Sequence, residues 1–106
     1  MIDLIIKNAK VATASDLFTC DIGIDKEKIV FLENNSSKEA KKIIDAKNQY
    51  VLPGGVDGHC HLDQRTKDGT EMSDNFESGS RSAAYGGTTT IMPFAIQFKG
   101  ESLREV

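Results

Sequence analysis

The chain is poor in the residues that usually mark a specialised class of protein. It has no tryptophan, two cysteines, two histidines and two prolines. The cysteines, Cys20 and Cys60, lie far apart and form no C-x-x-C pair. That spacing argues against a disulfide scaffold and reads as reduced thiols in a cytosolic protein. No apolar run approaches the roughly 20 residues of a membrane-spanning helix. The start, Met1-Ile2-Asp3-Leu4, lacks the basic region and cleavage site of a signal peptide. The expected location is therefore the cytoplasm, with no membrane partner. Charge of one sign is also lacking: 13 basic residues stand against 16 acidic ones, for a net charge of −3. The longest basic cluster, Lys41-Lys42, is too short for a phosphate-binding surface, so nucleic acid is not an expected partner.

What is present is ordinary globular material. The chain has 106 residues, 39% hydrophobic and 27% charged, enough for one modest domain. Residues 1–52 read as short strands and turns. Leu4-Ile5-Ile6 is apolar, Asn8-Ala9-Lys10 is turn-like, and Val11-Ala12-Thr13 resumes the extended pattern. Ile22 and Ile24 alternate with polar residues and glycine, Asp25-Lys26-Glu27-Lys28 is a polar turn, and Ile29-Val30-Phe31-Leu32 follows as a strand. This pair predicts a hairpin. Residues 38–42 have a short, polar helical look, but a loop into the strand Ile43-Ile44-Asp45 is the plainer reading. The half as a whole predicts part of a small β-sandwich.

The second half changes character. A strand over 56–61 precedes a polar, glycine-containing loop over 62–72. Asp74 and Glu77 have capping-box spacing and predict a helix start. Phe76, Gly79, Ser80, Ala83 and Ala84 form one stripe of mostly small residues, suited to close packing on a sheet. Gly86-Gly87 ends the helix, and Thr88-Thr89-Thr90-Ile91-Met92 is a β-branched strand closed by Pro93. Strand, loop, helix and strand in this order predict a βαβ unit with parallel strands. Such strands need cover on both faces. Residues 99–106 read as the first turns of another helix. The expectation is an α/β fold, with 53–106 as the first βαβ unit of a truncated (β/α)8 TIM-like barrel. Such barrels run to about 250 residues on their own.

His59-Cys60-His61 is the most informative stretch. On a strand, residues i and i+2 face one way, roughly 6.6 Å apart. Both imidazoles then reach one metal ion while Cys60 points to the other face. Neutral histidines on a rigid strand, with coordination positions left for water, suit a metal-dependent hydrolase. In a barrel, the end of a strand is also where active sites lie. Asp57, two residues earlier, shares that face. It either orients a histidine by hydrogen bonding or is a strand residue satisfied by backbone amides.

The run Pro53-Gly54-Gly55-Val56-Asp57-Gly58-His59-Cys60-His61-Leu62-Asp63 resembles the signature that opens the metal site of the amidohydrolase superfamily. The similarity is to its cyclic amidohydrolases, the hydantoinases and dihydropyrimidinases. It continues through residues 74–90, the opening Leu4-Ile5-Ile6-Lys7-Asn8-Ala9 and Asp21-Ile22-Gly23-Ile24. The resemblance implies hydrolysis of cyclic amide C–N bonds at a binuclear centre, usually of zinc (Zn2+). His59 and His61 would bind one ion. A carbamylated lysine, two further histidines and an aspartate would complete the centre from beyond residue 106. It also implies a small cyclic amide as substrate and a homo-oligomer, a dimer or tetramer. Dihydroorotases carry an arginine where this chain has Asp63. An aspartate there would repel a substrate carboxylate, which favours hydantoin or dihydropyrimidine rings. The loop 62–72 corresponds to one that lines the exocyclic group of the substrate, with Gln64, Arg65, Thr66 and Met72 as candidates. For any one of these alone, a solvated loop residue is the plainer reading.

Two alternatives stay open at this point: an amidohydrolase acting on another ring, such as an allantoinase, and a non-catalytic scaffold of the same fold. Retention of both histidines speaks against the scaffold. Two histidines cannot build a binuclear site. The purified 106-residue chain is therefore expected to open neither hydantoin nor dihydrouracil in a ring-opening assay. Turnover free of full-length contaminant would refute this.

Overall fold

The apolar residues at the start extend further than their pattern suggests. In the computed structural model, which describes residues 1–106, β1 runs unbroken from Ile2 to Ala12. It is followed by β2 (Leu17–Asp25), β3 (Lys28–Glu33), β4 (Ala40–Asp45), β5 (Tyr50–Val51), β6 (Gly55–Cys60), α1 (Phe76–Tyr85) and β7 (Thr88–Pro93). The chain divides into two compact units, Met1–Pro53 and Gly54–Val106.

The first unit is a five-stranded mixed sheet in the order β3-β2-β1-β4, with β5 also paired to β1. β1 is antiparallel to β2 and parallel to both β4 and β5. The β2–β3 hairpin turns at Lys26 and Glu27, both at positive φ (46° and 63°), which gives the twist a two-residue hairpin loop needs. Ala9, Val11, Cys20 and Ile22 form the buried cluster, joined by Ile6, Ile24, Ala46 and Val51.

The turn expected at Asn8-Ala9-Lys10 is instead a β-bulge. The register of β1 shifts between Ile6 and Ala9, and Asn8 sits at φ 55°. Asparagine tolerates this left-handed conformation better than most residues. The strand therefore bends without ending. Asn8 lies where β4 stops and β5 begins. Its side chain donates to Asp45 Oδ1 (2.9 Å), and its carbonyl accepts from Asn48 N (2.9 Å).

The bulge is held from behind by Asp21, a carboxylate only 4% exposed. Asp21 Oδ1 accepts from Asn8 N (2.9 Å), and Oδ2 accepts from Ser36 N (2.8 Å). Lys7 Nζ lies 3.9 Å from Oδ2 and donates to Ser36 O (2.7 Å). One side chain thus fixes both the bulge and the loop that delivers β4 to β1.

The second unit is a β-α-β unit. β6 and β7 pair in parallel, from Gly55 opposite Thr88 to Cys60 opposite Pro93. The helix start differs from the expected Asp74–Glu77 pair. Asn75 is the cap, its side chain accepting from Ser78 N (2.9 Å) while Ser78 Oγ accepts from Asn75 N (3.1 Å). Asp74 binds the same Ser78 hydroxyl (2.8 Å), one step outside the cap. Gly86 ends the helix, and Gly87 follows at φ 87°, where a side chain would be strained. Of the small-residue stripe, Gly79 is the buried member. A Cβ there would meet Leu62 Cδ2 at 2.3 Å, so the glycine lets the helix seat against the chain that leaves β6. The helical turns expected over 99–106 are separate hydrogen-bonded turns. Both strands of this unit leave apolar side chains in solvent, Val56 at 65% and Met92 at 52% exposure.

Asp21→Ala would leave two backbone N–H groups without acceptors. The expected cost is about 2–3 kcal/mol, read as a lowered urea midpoint. Asp21→Asn, which keeps one amide oxygen, should lose less. An unchanged midpoint in Asp21→Ala would contradict this role.

Candidate metal centre

His59 is the penultimate residue of β6, and His61 is the first residue beyond it. Both are exposed, while Cys60 between them is half-buried. The two ring centroids lie 5.4 Å apart, edge to face, as the period of a strand requires for i and i+2. Phe94, the residue after β7, packs against both: its ring is 4.6 Å from that of His59 and stacked at 5.0 Å, 9° from parallel, on that of His61. The backbone places it there, because Phe94 N donates to Cys60 O (3.0 Å).

Asp57 Oδ1 accepts from the backbone N–H of His59 (3.0 Å). It thus braces the strand end. Asp63 follows His61 at φ 48°, turning the chain into the 62–72 loop, and its N–H donates to Asp74 O (3.0 Å). Gln64 reaches back, with Oε1 hydrogen-bonded to Nδ1 of His61 (2.5 Å). Arg65 forms a two-pronged bridge to Glu101, at 3.2 and 2.7 Å, and its guanidinium lies 5.0 Å from the centre of the Phe98 ring. The hydrogen bond between them raises the Arg65 pKa and lowers that of Glu101. Thr66 Oγ1 donates to Thr70 O (2.6 Å). Gln64, Arg65, Thr66 and Met72 together line an open cleft of about 800 Å³. His59 and His61 lie outside that lining.

Two imidazoles on one side of a strand end fit half of a four-coordinate site. Within the chain they stand alone: no group of three or more His, Cys, Asp or Glu side chains is placed to hold an ion. With Nδ1 of His61 engaged by Gln64, Nε2 is the nitrogen left to ligate.

Phe94 and Glu101 are the residues that sequence reasoning did not place at the site. The parallel register of β6 and β7 carries the signal for Phe94, since Pro93 opposite Cys60 sets the next residue beside His61. Glu101 has no local signal, because its partner is 36 residues away.

No protein-family model matches the chain. Individual proteins do. The D-hydantoinase of Geobacillus stearothermophilus is 44% identical over 101 residues, covering 95% of this chain and 21% of that protein. The dihydropyrimidinase of Dictyostelium discoideum is 37% identical over 103 residues, covering 96% of this chain and 20% of the relative. The crystal structure of dihydropyrimidinase from Brevibacillus agri superposes with a TM-score of 0.87 at 46% identity, over 95% of this chain and 22% of that one. The fold is thus that of the N-terminal part of hydantoinase and dihydropyrimidinase structures. Over 95% of its own length the chain is similar to hydantoinases and dihydropyrimidinases, and it spans about one fifth of the length of the relatives it matches.

The geometry sets an order of thiol reactivity. Cys20 is 6% exposed, and burial first, then the charge of Asp21, pushes its thiol pKa up. Iodoacetamide at mildly alkaline pH should therefore label Cys60 first, with Cys20 about tenfold slower by mass spectrometry. The reverse order would contradict the placement of Cys20 in the core of the first unit.

Proposed function

We propose that the full-length protein carrying this chain is a metal-dependent hydrolase of cyclic amide C–N bonds, acting on hydantoin or dihydropyrimidine rings. The observation that carries this reading is the convergence of His59 and His61, 5.4 Å apart by ring centroids, at the end of a parallel strand. The family likeness supports it across 95% of the chain. In this reading the β6-α1-β7 unit opens a (β/α)8 barrel, and residues 1–52 form part of a small β-sandwich domain.

His59 and His61 would hold one zinc ion, with a carbamylated lysine and the other ligands supplied from outside this chain. When bound, zinc makes water acidic enough to act as a nucleophile near neutral pH and polarises the amide carbonyl. The residues of this chain hold and frame that site. Phe94 packs against both imidazoles and restricts their rotation. Asp57 fixes the backbone that carries His59. Gln64 holds His61 by its far nitrogen. Asp63 places a carboxylate beside the site, which disfavours rings bearing a carboxylate of their own. The cleft lined by Gln64, Thr66 and Met72 would take the exocyclic substituent. A cytoplasmic homo-oligomer completes the proposal, and the exposed apolar residues of β6 and β7 are the kind of surface that further chain covers.

The test is made in the full-length protein loaded with zinc and bicarbonate. His59→Ala and His61→Ala should each lower zinc content by mass spectrometry and reduce ring opening at least about 100-fold. A loaded wild-type protein that opens neither hydantoins nor dihydropyrimidines would sink the proposal. Wild type without stoichiometric zinc would favour a non-catalytic scaffold of the same fold.

A further inference from the structure

We infer that Gln64 is a positioning residue that fixes the tautomer of His61, and that the Arg65–Glu101 bridge is the clamp that keeps Gln64 in place. The role of the clamp in metal binding rests on the reading of His61 as a ligand; the tautomer itself does not.

Gln64 presents its amide oxygen to Nδ1 of His61. An amide oxygen only accepts, so the ring nitrogen must donate. His61 then carries its proton on Nδ1 and keeps the lone pair on Nε2. The partner of one imidazole nitrogen decides which form of the other is available. In this form His61 is ready to ligate through Nε2 without first moving a proton. His59 has no such partner: its ring packs on His61 and Phe94.

Gln64 sits on a loop, and a loop side chain holds geometry only if its backbone is held. The next residue does this. Arg65 grips both carboxylate oxygens of Glu101, a planar fork matched to a planar acceptor. Glu101 is itself anchored. Its Oε2 accepts from Phe98 N (3.0 Å), its N–H donates to Phe98 O (3.1 Å), and its carbonyl accepts from Gln97 Nε2 (2.7 Å). The Phe98 ring carries Arg65 at 5.0 Å and Lys67 at 5.6 Å over its face. The bridge thus ties the 62–72 loop to the 97–101 turn and sets the position from which Gln64 reaches His61. Arg65, which the sequence suggested as a cleft-lining residue, is in this assignment spent on the clamp rather than on a ligand.

The first arm uses the full-length protein labelled with 15N-histidine, the signals of His61 being assigned by their loss in His61→Asn. Long-range 1H–15N correlation near pH 8, without metal, reads each tautomer. His61 should carry its proton on Nδ1 in the wild type. Gln64→Leu should lose that preference, and Gln64→Glu, which keeps an acceptor oxygen, should retain it. The same tautomer in wild type and Gln64→Leu would overturn the assignment. The second arm is trypsin cleavage after Lys67, expected about threefold faster in Glu101→Gln; equal rates would overturn the clamp. The third arm is zinc titration of the full-length protein, with affinity about tenfold weaker in Gln64→Leu. A tautomer change with no zinc binding in the wild type would support the positioning role and refute the metal reading, so the two failures are told apart.

Discussion

The candidate site depends on one backbone hydrogen bond, from Phe94 N to Cys60 O. It carries the parallel pairing of β6 and β7 one residue past the strands. That step sets the Phe94 ring against both imidazoles at once. Without it, His59 and His61 would still share a side of the chain by strand period, but neither would pack on the Phe94 ring. With it, the two rings are framed on one aromatic surface. The close approach of α1 at Gly79, over Leu62, then sets where the chain turns after His61. From that turn Gln64 reaches back to the second ligand candidate. The chemistry proposed for this chain follows from that sequence of constraints.

The first unit obeys a similar logic around a different group. A buried carboxylate is costly unless its oxygens are satisfied by donors. Asp21 meets that demand with the amides of Asn8 and Ser36. In doing so it converts a local irregularity in β1 into a fixed bulge and anchors the approach to β4. A single polar side chain therefore sets which residues of β1 meet β4 and which meet β5.

Much of this is legible in the amino-acid order. Alternation marks β2, the polar residues at 25–28 mark the hairpin, and Gly86-Gly87 marks the end of α1. The H-x-H spacing is enough to place both imidazoles on one side. What could not be read depends on partners distant in sequence. Asn8 looks like a turn residue because asparagine favours left-handed backbone, and only its acceptor Asp21 reveals a bulge. The helix cap moved from Asp74 to Asn75 because either side chain can cap, and the Ser78 hydroxyl decides between them. The turns at 99–106 replace a helix because Glu101 is engaged by Arg65 and Phe98. Phe94 reads from the sequence as a core or interface residue, because an aromatic residue after a strand usually is one, and its place beside both imidazoles emerges only from the pairing register.

The central claim is that His59 and His61 are the first two ligands of a metal centre. The most direct measurement is anomalous diffraction at the zinc edge from crystals of the full-length protein. The account expects a peak about 2.0–2.1 Å from a ring nitrogen of each histidine, with Nε2 as the nitrogen on His61. An anomalous map with no peak between the two rings would contradict it.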